Sequence, residues 1–211
     1  MKTDDLIRLM AEDAPVRVRL STVLALAIAA GVVCAGLILL VTIGIRPDLG
    51  AAVETVRVQF KLGFTLLMAA AGCAVLLVAG LPGRSAGRRL VVLGLPLALL
   101  VLGVVLELTV VPRGRWAASL EGQHAAFCVF FIPVLALVPF AAFFWALRDG
   151  APENPGLAGA SAGLAAGAIG AAVYAWHCPD DSPLFVATWY VLAMLLVTVV
   201  GYGLGRRTLR W

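Results

Sequence analysis

The sequence predicts an all-α integral membrane protein, a bundle of six transmembrane helices with both termini in the cytoplasm. Three observations carry this expectation. The 211 residues are 62% hydrophobic and only 13% charged, with a mean hydropathy of +1.02, far from the composition of soluble domains. Six apolar runs, roughly 21–45, 62–81, 90–111, 123–147, 156–176 and 185–205, have the length of about 20 residues that a helix needs to cross the hydrocarbon with its backbone satisfied internally. Lys and Arg also fall unevenly on alternate sides of these runs: 11 of 16 lie near the termini and in the second and fourth connections, and only Arg46, Arg57, Lys61, Arg113 and Arg115 on the other side. Basic residues concentrate on cytoplasmic loops, which sets the orientation and explains the net charge of +4 without nucleic acid as a partner.

The chain opens on a short cytoplasmic arm, residues 1–20, followed by the six-helix transmembrane domain, 21–211. Acids and bases mix in the arm and the first run is too long for a signal-peptide core, so the first span is expected to be retained. In "TDDLIRLMAEDAP", Thr3 is a candidate N-cap, Asp4 and Asp5 complement the dipole of a first turn, and Pro15 follows the end. Leu6, Leu9 and Met10 share one face of a helix too short to persist alone in water. Such a segment folds on a partner, and Asp4, Asp5, Leu6, Leu9 and Met10 are the candidate partner-binding residues. A membrane-surface helix would be more basic.

Cys34 and Cys73 lie near the midpoints of the first two spans, where a thiol packs as a small hydrophobe. Glu107 sits in the third span towards its outer end, placed either to pair with Arg113 or Arg115 or to join a site there. "LPGRSAGRR" and "RDGAPENPG" are turns that leave no room for a second globular domain. Pro133 and Pro139 remove backbone hydrogen bonds inside the fourth span and predict a bend. Gly159, Gly163 and Gly167, continued by Ala171, form a stripe on the fifth span along which another helix can approach closely.

The densest cluster of chemistry-bearing side chains is "AWHCPDDSPLF", residues 175–185, in the last outward-facing loop. His124 precedes Cys128 by four residues and shares its helix face. His177 adjoins Cys178, so both histidines and two of the four cysteines are expected at one membrane face. His124, His177, Cys128 and Cys178, with Glu107 in reach, could hold zinc or another soft divalent metal tetrahedrally. The spacing contains no CxxC pair and no HExxH motif, and His177, Asp180 and Asp181 are equally readable as ordinary solvated loop residues.

"MKTDDLIRLMAEDAPV", "FKLGFT", the block "ALRDGAPENPGLAGASAGLAAGAIGAAVYAWHCPDDSPLFVATWY" and the Arg-rich ending resemble the NrsF-type membrane anti-sigma factors of proteobacteria over nearly the whole chain. The resemblance implies a multi-pass protein of the bacterial inner membrane that sequesters a sigma factor of the extracytoplasmic-function class. It also implies release of that factor when two outward cysteines, matching Cys128 and Cys178, respond to metal or oxidant stress. Two other classes fit the spans: a thiol oxidoreductase coupled to quinone, which lacks a CxxC relay here, and a small cation transporter, which would carry more ionisable residues near the midplane. With no catalytic constellation, the expectation is a regulator and not an enzyme.

Overall fold

The computed structural model describes residues 5, 20–80, 86–148, 150 and 152–209, the backbone alone for 86–89, and its described residues contain helices and no strand. Six long helices follow one another: α1 Leu20–Thr42, α2 Val56–Ala79, α3 Gly94–Val110, α4 Ala125–Arg148, α5 Pro155–Tyr174 and α6 Val191–Thr208. A 3₁₀ stretch, Ala86–Leu93, leads into α3, and a helical turn, Pro183–Phe185, with a π-helical turn, Val186–Tyr190, leads into α6. Together they give six segments long and apolar enough to cross a membrane. The outward residues are as apolar as the core: Val41, Val56 and Val110 are each about four-fifths exposed, which a water-soluble surface does not tolerate in bulk.

Helix ends follow local chemistry. Thr55 accepts from the Val58 N–H at 3.4 Å and caps α2. The helix therefore begins six residues before the apolar run at 62 and takes in Arg57 and Lys61, charges that the sequence reading left outside it. Asn154 caps α5 through the Leu157 N–H at 3.0 Å, with Pro155 in the first turn where its missing N–H costs nothing. At the end of α1 the N–H groups of Ile43 and Gly44 both bond to the Leu39 carbonyl, and Gly44 turns the chain at φ +69°.

The centre of the bundle is α5, buried without interruption from Ala165 to Ala172 and packed on α6, α2, α4 and α1. The small-residue stripe is its contact with α6: a Cβ on Gly159 would stand 2.2 Å from the Gly201 carbonyl oxygen, and one on Gly163 2.4 Å from that of Val197. These two helices touch backbone to backbone. On α4, both prolines lie inside a continuous helix, and α1 crosses the buried Pro139 at Gly31, where a Cβ would fall 2.7 Å from the proline Cβ.

Candidate functional site

At one end of the bundle the connections 43–55, 111–124 and 175–182 converge, tied by the Arg46 N–H to the Trp176 carbonyl at 3.2 Å. Beneath them Cys128, one turn into α4, meets Cys178, just past the end of α5, with their sulfurs 3.7 Å apart and both side chains fully buried. The sequence placed both cysteines at one face, and the fold brings them into contact. Cys34 and Cys73 lie elsewhere, half-buried in α1 and α2.

The loop carrying Cys178 is held by cations. Lys61 is fully buried, and its ammonium donates to the carbonyls of Cys178 at 2.6 Å and Asp180 at 3.4 Å and to the Asp181 carboxylate. Arg46 grips the same carboxylate at 2.9 Å, approaches the Cys178 carbonyl at 3.4 Å, and pairs with Asp48 through two bonds of 2.7 and 2.8 Å. That pairing raises the Arg46 guanidinium above its ordinary range and holds the Asp48 carboxyl below its own. The Cys178 thiol, outside the six long apolar segments, is drawn down to about 7. The hydrogen bond from Cys128 does most of this, and the Lys61 charge adds to it against the opposing effect of burial.

The other residues expected at a metal site disperse. His124 turns its Nδ1 to the Asp180 carboxylate at 3.1 Å, and Asp180 also accepts the backbone N–H groups of Gln123 and His124, so it anchors the entry to α4. His177 Nδ1 bonds the Gly44 carbonyl at 3.0 Å. Glu107 is bound by Arg57 and Ser182, each at 3.1 Å, and so pairs with neither Arg113 nor Arg115. Each of these side chains has a hydrogen-bond partner of its own, and among the described residues no three of His, Cys, Asp and Glu form a group that could hold a metal ion. Of the candidate partner-binding residues Asp5 is exposed, and Asp4, Leu6, Leu9 and Met10 lie outside the described residues.

The sequence reading missed Lys61, Tyr174 and Tyr190. Lys61 was legible only as one of the basic residues on the outward side, before the second apolar run. The tyrosines, with rings 6.1 Å apart, bring their hydroxyls beside the Cys128 and Cys178 sulfurs respectively.

A family model described as NrsF, negative regulator of sigma F, matches residues 9–211. The chain is 36% identical over 217 residues to the probable anti-sigma-F factor NrsF of Azospira oryzae, and 36% identical over 215 residues to the anti-sigma-F factor NrsF of Caulobacter vibrioides, in both cases over 100% of each chain. No solved structure matches it significantly. With a single family model spanning almost its whole length and two full-length relatives, the chain belongs to the NrsF family.

Proposed function

We propose that the protein is an anti-sigma factor of the bacterial inner membrane, with both termini cytoplasmic, that holds a sigma factor of the extracytoplasmic-function class. In this reading it releases the factor when the bonding between Cys128 and Cys178 changes. The names of both full-length relatives support a sigma factor as partner, and the distribution of Lys and Arg supports a periplasmic position for the thiol end. One observation carries the sensing step: two buried sulfurs, 3.7 Å apart, on different helical segments at that end.

Disulfide formation removes two electrons and two protons from the pair to an external oxidant and closes the sulfurs to about 2.05 Å. The movement pulls α4 and the 175–182 loop together. Because Lys61 and Arg46 hold the backbone of that loop, the movement reaches α2 and the end of α1, and along α1 its start at Leu20. Switching a population from mostly bound to mostly free takes a differential of about 5.5 kcal/mol. By linkage, the reduction potential of the pair then stands about 120 mV higher with the sigma factor bound than free. Titrating the thiols in a glutathione buffer with and without the sigma factor measures this difference, and equal potentials would separate the thiols from sigma binding.

The direct test is a sigma-dependent reporter in cells carrying Cys128→Ser or Cys178→Ser. Each variant is expected to keep the reporter repressed and to lose induction by oxidant or soft metal salts down to the unstressed level. Full induction in either variant would sink the sensing step; loss of repression in the absence of stress would show that the thiols serve sequestration instead.

A further inference from the structure

Tyr190 is fully buried, and its hydroxyl is, among the described residues, the buried side-chain oxygen or nitrogen that has no hydrogen-bond partner. Leaving such a group unsatisfied is unfavourable, and phenylalanine would fill the same space without that cost. The backbone is also specialised here. Tyr190 ends the π-helical turn Val186–Tyr190, a rare conformation that gathers at functional sites. Thr188 fixes the turn by donating to the Leu184 carbonyl at 2.9 Å, and Trp189 by donating to that of Leu120 at 2.8 Å. Phe185 packs on the Tyr190 ring at 6.3 Å. The result is a buried hydroxyl near enough to the Cys178 sulfur to act on that thiol, yet without a hydrogen bond by distance and angle in this state. A donor held in this way suits an acceptor that exists only in another state of the site.

We propose that Tyr190 donates its hydrogen bond to the oxygen that a hydroperoxide leaves on Cys178, which makes Cys178 the sulfur oxidised first and Cys128 the sulfur that closes the disulfide. This rests on the reading of the pair as a redox-responsive element. The Cys178 thiolate attacks the terminal oxygen of the hydroperoxide; the S–O bond forms, the O–O bond breaks, the sulfur loses two electrons, and the departing oxygen takes a proton and leaves as water or an alcohol. The sulfenic oxygen on Cys178 then accepts from Tyr190. The Cys128 sulfur, 3.7 Å away, attacks the Cys178 sulfur; the S–S bond forms, the S–O bond breaks, and the departing hydroxide leaves as water with the Cys128 proton. Lys61, on the Cys178 carbonyl, keeps the backbone of the attacked residue in place while its sulfur moves.

The experiment uses the purified full chain in nanodiscs with hydrogen peroxide as the oxidant. In Cys128→Ser, a dimedone adduct is expected on Cys178 by mass spectrometry, and in Cys178→Ser the adduct on Cys128 should be at least ten-fold weaker. Tyr190→Phe should slow disulfide formation by peroxide at least ten-fold, yet leave its rate with diamide, which transfers no oxygen, within two-fold of wild type. Tyr174→Phe should change the peroxide rate less than three-fold. A wild-type peroxide rate in Tyr190→Phe, equal slowing with both oxidants, or an adduct mainly on Cys128 would each overturn the proposal. Failure of the sensing reading shows separately, as a stress response that persists in the reporter when both cysteines are serine, and leaves these rates unaffected.

Discussion

Gly163→Ala is expected to destabilise the bundle by about 3 kcal/mol, the upper part of the range for overpacking a core. The new methyl would meet the Val197 carbonyl oxygen at 2.4 Å and the Thr198 Cα at 2.8 Å. Both are backbone atoms of α6, so no side chain can rotate away and the two helices must separate along their whole contact. The loss outweighs the roughly 1 kcal/mol that alanine gains over glycine as a helix former. In a chain of this size it corresponds to a fall in Tm of about 6–12 °C, measured by thermal unfolding in nanodiscs. Gly36→Ala is the control, because nothing lies within 4 Å of a Cβ there, and its Tm should stay level or rise. A Gly163→Ala protein as stable as wild type would mean that α5 and α6 are not in backbone contact.

The second large effect concerns Asp181. Its carboxylate is shared by the fully buried Lys61 and by Arg46, whose side chain is 8% exposed. Asp181→Asn preserves the shape and removes the charge, leaving a buried ammonium with carbonyls alone, a change expected to cost about 3–5 kcal/mol. Lys61→Met is expected to cost less, since Asp181 keeps Arg46. The double variant should lose clearly less than the sum of the two, because each single change strands a partner that the other removes. A thermodynamic cycle from chemical unfolding gives the coupling. Additive losses would show that Lys61 and Asp181 do not share their charge, and that the loop is held by its carbonyl bonds alone.

The fold was legible where the physics is local. Run length and hydropathy located the six helices, the glycine stripe marked a close helix contact whose partner, α6, only the fold reveals, and the His-Cys loop pointed to the end of the bundle where the thiols meet. The site was legible in its sulfurs and illegible in its polar partners. His177 takes a carbonyl 133 residues away and Glu107 an arginine 50 residues away, and composition at one loop does not reveal a competitor from another. Lys61 was misplaced for the same reason: a lysine near an interface normally reaches for water. Here three acceptors from the 178–181 loop receive it, so the helix could start earlier and carry the charge inward.

The position of α5 has a consequence for how the protein is made. It is the least apolar of the six segments and shows the least of itself to the outside. In the proposed bilayer, a helix faced with glycine and alanine gains little from contact with acyl chains, and what retains it is the company of its neighbours. Three of those, α1, α2 and α4, are synthesised before it, but α6, its most extensive contact, leaves the ribosome after it. Until α6 arrives, the glycine face of α5 is an open seam, and a chain cut short before Val191 would lack the helix that seals that seam.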